Sequence, residues 1–266
     1  MWGFDNNDSV NKLQRIFFKI VLKLKNSTPN AMLYGETGSY PIDVIIKQRM
    51  LSFCFELVSN QNSNKLSSLV YKCLYTMYRL DVHENLYVKY IHKSLIDVGL
   101  PYLWDTQNVS HLSKSMFKSH VKQLTQDLYI LDWHSSLFNS QICENYYTFK
   151  RNFGQEPYVS ILPYNCIISF VRFRTTNNEL PVNTLRYLNI PRENRLCIKC
   201  DSPDVAGEYH YLFKCEFFKT KREECLDRLY YTSPNSHKYN LLFNSQNKQE
   251  LLKLKHFIDI INRHMR

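Results

Sequence analysis

Four residues near the C-terminus have the types and the spacing of a metal-binding site. Two residues separate Cys197 from Cys200, nine more precede His210, and a further four precede Cys215. Thiolates three positions apart turn toward one point, and a histidine and a cysteine from the next segment can complete a tetrahedron of ligands that suits Zn²⁺. Because four protein ligands leave no open position on the ion, we expect a structural zinc and not a catalytic one.

The same sequence also allows other arrangements of the cysteines. The four residues could be unrelated, with buried thiols beside a surface histidine, and Cys225 could replace one of the four ligands. The remaining cysteines lie in apolar surroundings and are predicted to be buried structural residues: Cys54, Cys73, Cys143 and Cys166. The N-terminal residues lack the pattern of a secretory leader. We therefore expect an intracellular chain, in the cytoplasm or the nucleus, where reduced thiols can bind metal.

Basic residues surround the predicted zinc site and indicate a polyanionic partner. The formal net charge is +10, from 34 Lys and Arg against 24 Asp and Glu. Because the planar arginine side chain suits phosphate, we expect RNA or DNA to contact the basic residues before and within the cysteine segment. These residues are Arg172, Arg174, Arg186, Arg192, Arg195 and Lys199. The alternative is a solvated face, because glutamates such as Glu193 and Glu208 dilute the charge.

Apolar and mostly aromatic residues lie among and after the last two predicted ligands. They are Tyr211, Leu212, Phe213, Phe217 and Phe218. We expect most of them to form a small core around the metal ion. The alternative for some of them is stacking on the bases of a nucleic acid.

Motifs of catalysis are missing from this sequence. No adjacent pair of aspartates could hold two metal ions for polymerisation. The segment from Gly35 to Gly38 lacks the lysine of a phosphate-binding loop, and it is predicted to form the turn between the first two helices. We therefore expect neither an enzyme nor a small-molecule substrate. We also expect no membrane span, because no run of about 18 uncharged apolar residues occurs.

The helical periodicity of apolar residues predicts an all-α fold. The predicted helices cover about 8–25, 41–58, 64–79, 84–97, 112–138 and 248–263. Prolines in the intervening residues 141–196 favour short helices joined by loops. We expect a helical bundle made of one region over 1–60 and a connector over 61–140. A loop-rich basic segment over 141–266 follows it, with a small zinc knuckle at about 197–215 and a C-terminal helix.

The first predicted helix carries a basic stripe opposite its apolar residues. The stripe consists of Lys12, Arg15, Lys19 and Lys23, spaced by three or four positions. We predict that these residues contribute to nucleic-acid binding. A solvated helix face is the alternative.

Several motifs at both ends of the chain resemble one known family. Trp2-Gly3-Phe4 and Tyr34-Gly35-Glu36-Thr37-Gly38 are similar to the helical thumb of animal non-LTR retrotransposon reverse transcriptases. Ile190-Pro191-Arg192-Glu193-Asn194-Arg195, together with the cysteines and the histidine above, resembles the basic stretch and zinc knuckle at the C-terminus of the same proteins. The order and spacing agree at both ends, so that the resemblance covers most of the chain.

The resemblance implies a role in target-primed reverse transcription. In that family the thumb and the C-terminal segment hold template RNA and target DNA, and the palm of the polymerase is their neighbour. The resemblance thus implies a thumb-like region over 1–60. This sequence lacks the fingers, the palm and the endonuclease, so that we expect nucleic-acid binding without polymerisation. Two alternatives are a helical scaffold for protein interaction and a decayed element remnant with no function.

Overall fold

In the computed structural model, the described residues are 8–60, 65–82 and 85–265. Within these ranges the chain forms helices, turns and one isolated antiparallel bridge, between Leu196 and Val205. The α-helices are α1 (Asp8–Val21), α2 (Asn30–Thr37), α3 (Ile42–Ser59), α4 (Leu66–Arg79), α5 (Leu86–Asp97), α6 (Pro101–Thr106), α7 (Lys114–Phe138), α8 (Glu144–Phe149), α9 (Pro157–Ile161), α10 (Tyr164–Arg174), α11 (Pro181–Thr184), α12 (Lys219–Cys225), α13 (Arg228–Tyr231), α14 (Ser236–Phe243) and α15 (Lys248–His264). This secondary structure confirms the prediction that the chain is mostly helical.

Shorter helical turns connect several of these elements. Turns of 3-10 helix cover Gln141–Cys143, Leu185–Leu188, Arg192–Asn194 and Glu216–Phe218, and one π-helical turn covers His210–Lys214. None of the helices in the described ranges combines the length and the low polarity that crossing a membrane requires.

Most of the predicted helices are confirmed. The predicted ranges after the first coincide with α3, α4, α5, α7 and α15 to within about two residues. The predicted loop-rich stretch contains the short helices α8 to α11. Helix α1 ends earlier than predicted, and the backbone of Lys23 just beyond it is left-handed, with φ 51°.

The predicted turn between the first two helices is wrong. Gly35, Glu36 and Thr37 belong to α2, whose residues from Met32 onward are almost all buried. Burial therefore outweighs the low helix propensity of glycine in this segment. Gly38 ends the helix with φ 63° and donates its N–H to the Tyr34 carbonyl. A Cβ atom here would overlap the backbone nitrogen of Gln155, so that only glycine fits.

The described chain divides into two compact units that interleave in sequence. Unit 1 comprises the described parts of Met1–Gln14 and Tyr40–Trp133. Unit 2 comprises Arg15–Ser39 and the described part of His134–Arg266. The domain boundaries predicted at residues 60 and 140 differ from this division, because residues 15–39 belong to the same unit as the C-terminal half.

Unit 1 has an aromatic core. Helices α3, α4 and α5 pack on one another, and α6 packs on α5. The rings of Phe55 and Phe117 stack with their centroids 4.6 Å apart, and Trp104 stacks on His92 at 4.4 Å. Burial raises the pKa of the Cys54 thiol to about 11, which keeps this cysteine neutral and agrees with its predicted structural role.

The core of unit 2 is built around the C-terminal helix. Helix α15 packs against α10 and α12, and α8 packs against α14. The predicted apolar side of α15 is buried, with Leu251, Leu254, Ile258 and Ile261 all fully shielded from solvent. This packing holds the segment that carries the predicted metal ligands, because α12 follows that segment directly.

A fully buried ionic cluster lies inside unit 2. The Nε atom of Arg174 lies 3.0 Å from the Glu36 carboxylate, and its Nη2 atom lies 2.6 Å from Glu156. Lys150 forms an ion pair with Glu156, and the Tyr158 hydroxyl donates to Glu36. Burial raises the pKa of Glu36, and the positive charge of Arg174 opposes that rise. Two carboxylates and two cations therefore neutralise one another where water cannot reach them.

We predict that Arg174→Met lowers the free energy of unfolding by about 3–5 kcal/mol, because it leaves buried carboxylates without their partner. Arg172→Met is the matched control, since Arg172 lies on the same helix but is only partly buried. It should cost less than about 1 kcal/mol. Urea denaturation followed by far-UV circular dichroism measures both. Equal losses in the two variants would contradict the assignment of a stabilising role to the cluster.

Candidate metal centre

The four predicted ligand residues converge on one point in unit 2. Their candidate ligand atoms all lie within 4.8 Å of one another. The Sγ atoms of Cys197 and Cys215 are 3.8 Å apart, and Cys200 Sγ lies 3.4 Å from His210 Nε2. A tetrahedral ion with metal–sulfur bonds of about 2.3 Å and a metal–nitrogen bond of about 2.0 Å separates its ligand atoms by roughly 3.5–3.8 Å. The cluster could therefore hold one metal ion.

A π-helical turn brings the second pair of ligands into register. The N–H of Cys215 donates to the His210 carbonyl at 2.8 Å, five residues earlier. In an α-helix, residues five positions apart differ in direction by about 140°, because each residue turns the helix by about 100°. The wider turn brings the two side chains back to the same side. In the sequence, only the spacing of four residues between His210 and Cys215 indicates this geometry.

A short loop positions the first pair of ligands. Leu196 pairs with Val205 in the isolated bridge, and the chain between them carries Cys197 and Cys200. The backbone N–H of Lys199 lies 3.4 Å from Cys197 Sγ and donates to it. The Tyr211 hydroxyl lies 3.4 Å from the same sulfur and can donate to it when that sulfur is a thiolate. Both donors stabilise the deprotonated form that binds metal.

The imidazole of His210 is in the form that a metal ion requires. Burial lowers the pKa of His210, so that the ring is neutral at pH 7 and its Nε2 atom can act as a ligand. The other ring nitrogen, Nδ1, lies 3.9 Å from the carboxylate of Asp204, a distance longer than a direct hydrogen bond. Asp204 also binds Lys214 at 3.1 Å. No sequence pattern singled out Asp204 as a neighbour of this ring.

Charge around the cluster favours a bound cation. Burial, followed by the negative charge of Cys197, raises the pKa of the Cys215 thiol to about 12. Thiolates this close repel one another, and a divalent cation between them would remove that penalty.

Arg222 provides a further positive charge beside the cluster. It is buried, and its guanidinium donates to the carbonyls of Leu212 and Cys215, each at 2.7 Å. Three thiolates and one divalent ion would carry a net charge of −1, which this guanidinium can balance.

The aromatic residues of the segment separate into a core and one exposed ring. Tyr211, Leu212, Phe213 and Phe218 are buried, which confirms the predicted small core. Phe217 is different, because half of its surface (50%) is exposed to solvent.

The predicted basic residues fall into separate groups. Arg186, Arg192 and Arg195 line one concavity of about 590 Å³, together with the carboxylates of Glu144 and Glu193. Arg192 contacts Glu144 at 3.3 Å, and Arg195 donates to backbone carbonyls.

Two predicted assignments need correction. Arg174 is buried in the ionic cluster, with its side chain fully shielded, and its guanidinium is not available to a nucleic acid. Cys73 is exposed, in contrast to the buried Cys54 and Cys143. Its position on the outer face of α4 explains the difference, because the helix buries only its opposite side.

The remaining predicted basic residues lie outside the arginine concavity. Arg172 lines a different depression, and Lys199 lies 5.8 Å above the Phe217 ring. On and just after α1, Lys12 and Lys23 are exposed, whereas Arg15 and Lys19 are partly buried. Lys19 donates to the Asn26 carbonyl at 2.8 Å, so this part of the stripe also helps to fix the end of the helix.

We predict that Cys200→Ser and His210→Ala each lose most of the bound metal, because each removes one of four ligands from a closed site. Cys225→Ser is the matched control: this cysteine is buried close by in sequence but does not belong to the cluster. It should retain about one ion per chain. Metal analysis of the purified proteins by mass spectrometry measures the stoichiometry. Full retention in Cys200→Ser, or loss in Cys225→Ser, would contradict this ligand set.

No family model, curated protein or solved structure matches the chain.

Proposed function

We propose that the chain is a zinc-dependent nucleic-acid-binding module. The observation that carries the proposal is the convergence of three cysteine sulfurs and one imidazole within 4.8 Å, in a segment rich in arginine and lysine. Zinc is the ion best suited to three thiolates and a nitrogen in a closed tetrahedron. In this proposal the ion is structural: it fixes the shape of a basic loop, and the loop holds the nucleic acid.

The distribution of positive charge supports a polyanionic partner. A net charge of +10 raises the local concentration of any polyanion, and guanidinium groups recognise phosphate in particular. Arg186 is the most available of the three arginines in the concavity, because its described contacts are to the neighbouring Tyr187 only. Arg192 has an exposed acidic partner that a phosphate can replace, since such ion pairs contribute little.

The family resemblance supplies the more specific part of the proposal. We propose that the module corresponds to the C-terminal portion of a non-LTR retrotransposon reverse transcriptase, which holds template RNA or target DNA beside the palm. The chain would then have no polymerase or endonuclease site of its own. All eight cysteines are free, which suits the reducing interior of a cell, and the cytoplasm or the nucleus is part of the proposal.

We predict that the zinc-loaded chain binds single-stranded RNA or DNA with a strong dependence on salt. The logarithm of the affinity should fall by about 0.7 per phosphate contact as the logarithm of the salt concentration rises. Arg186→Gln combined with Arg192→Gln should reduce that slope by about 1.4, and the metal-free Cys200→Ser chain should bind more weakly at every salt concentration. Fluorescence anisotropy with a labelled mixed-sequence oligonucleotide measures these effects.

A control pair separates the concavity from net charge. Arg228→Gln with Lys248→Gln removes the same charge from two exposed positions that do not line it. This pair should change the slope much less. Binding that is absent or insensitive to salt in the wild-type chain would reject the proposed function.

A second candidate function is supported by exposed apolar residues on α1. Leu13, Phe17 and Ile20 are exposed by 67%, 60% and 70%, although they form the apolar side of the helix. Such a stripe is typical of a surface that docks on another protein, and the resemblance makes a polymerase palm the partner. We predict that the wild-type chain self-associates or binds a hydrophobic dye. The double variant Phe17→Ser with Ile20→Ser should lose this property. A monodisperse chain that binds no dye would count against this role.

A further inference from the structure

A concavity of about 470 Å³ lies in unit 2 between the end of the metal-binding segment and α15. We name it the Phe217 cleft after its exposed phenylalanine. Its volume lies within the roughly 300–1,000 Å³ of ligand sites. It is lined by Phe217, Phe218, Lys221, His256, Ile260, Arg263 and His264. Among the described residues, the lining therefore combines aromatic rings with basic side chains and includes no carboxylate.

The Phe217 ring is both exposed and held in place. Half of its surface is open to solvent, although it follows the ligand Cys215 by only two residues. Its centroid lies 4.9 Å from that of Phe218 and 5.3 Å from that of His264, with the ring planes close to perpendicular. These edge contacts fix the orientation of the ring without covering it. An exposed ring in a fixed orientation offers a flat surface on which another planar group can stack.

Three cations lie near this ring or line the cleft. Lys199 places its ammonium 5.8 Å from the ring centroid, and Lys221 and Arg263 line the cleft itself. Lys221 contacts the carboxylate of Glu224 at 2.7 Å, and both side chains of that pair are half exposed. An exposed ion pair contributes little, so that a phosphate can take the place of this carboxylate.

A second group of basic side chains lies next to the cleft. His256 and Arg263 also line the neighbouring depression, where Arg172 joins them. That depression contains the carboxylates of Glu179 and Asp259 as well, so the more strongly basic end is the Phe217 cleft. A nucleic-acid strand could therefore follow the helix with its phosphates while one base reaches the ring.

We propose that the Phe217 cleft binds one unpaired nucleotide of a single-stranded nucleic acid, with the base stacked on Phe217 and the flanking phosphates beside Lys221 and Arg263. This inference rests on the proposed function and names the part of the nucleic acid that is recognised. A base can present its face to a protein ring only when it is unstacked, which excludes the interior of a duplex. Stacking on a single ring is tolerant of sequence, since every base has such a face.

The test compares Phe217→Ala with Phe138→Ala in the zinc-loaded full chain. Phe138 is a matched control, because it is also an exposed phenylalanine (77%) and does not line the cleft. Binding of a labelled mixed-sequence RNA 12-mer, a DNA 12-mer and the corresponding DNA duplex is measured by anisotropy. Phe217→Ala should weaken single-strand binding about fivefold or more, the lower end of what base stacking contributes. Phe138→Ala and Phe217→Tyr should stay within about twofold of the wild-type chain, since the ring is retained or is not involved.

The charged positions give an independent measurement. Lys221→Gln with Arg263→Gln should reduce the salt slope for single strands by about 1.4, twice the value for one phosphate contact. The effect of Phe217→Ala should instead be the same at every salt concentration, because stacking releases no counterions. Equal losses for duplex and single strand in Phe217→Ala would overturn the stacking role.

Zinc analysis of Phe217→Ala shows whether this variant keeps its fold. If it does not, a photochemical measurement on the wild-type chain tests the same inference. The wild-type chain is irradiated with the same RNA carrying 5-iodouridine, which forms bonds to aromatic rings stacked on it. Mass spectrometry should locate the bond at Phe217, and a bond only elsewhere, for example at the exposed Tyr187, would overturn the inference.

Failure of this inference is distinguishable from failure of the proposed function. Salt-dependent binding by the wild-type chain, with Phe217→Ala equal to Phe138→Ala, would overturn the cleft alone. A wild-type chain that binds none of the oligonucleotides would overturn both.

Discussion

Crowding of three sulfur atoms around one imidazole is the constraint on which the C-terminal part of the molecule depends. Thiolates at these separations repel one another, so the arrangement requires either protons or a cation at its centre. Arg222, which donates to the carbonyls of Leu212 and Cys215, supplies a permanent positive charge beside the cluster. A metal ion bound by the sulfurs would also fix the loop that carries Cys197 and Cys200 and the π-helical turn that begins at His210.

Polar groups buried elsewhere in unit 2 hold that segment in place. Glu208 is buried and accepts from the side-chain amides of Asn145, Asn178 and Asn183, just before the chain reaches His210. Because an unpaired carboxylate in the interior would be costly, these three donors specify where the segment enters the core. The ionic cluster around Arg174 has the same effect on α2 and α10. A rigid support of this kind allows a surface side chain, such as that of Phe217, to keep one orientation.

The basic residues do not act as one uniform surface. Arg174 and Arg222 are buried, three other arginines share a concavity with two carboxylates, and further basic residues border the cleft beside Phe217. A net charge alone would attract any polyanion, whereas this division provides distinct positions for phosphates and for a base. The functional proposal therefore depends on the local combination of cations with an exposed ring, and much less on the overall excess of lysine and arginine.

The sequence by itself determined the helical class, five of the helices, and the identity of the four residues that converge, because periodicity and ligand spacing are local properties. Only the tertiary structure decided which arginines are buried, that residues 15–39 join the C-terminal half, and that Gly35 lies within a helix. It also separated Phe217 from its buried aromatic neighbours. These outcomes depend on which face of each element meets another, and contacts between residues far apart in the chain leave no local pattern.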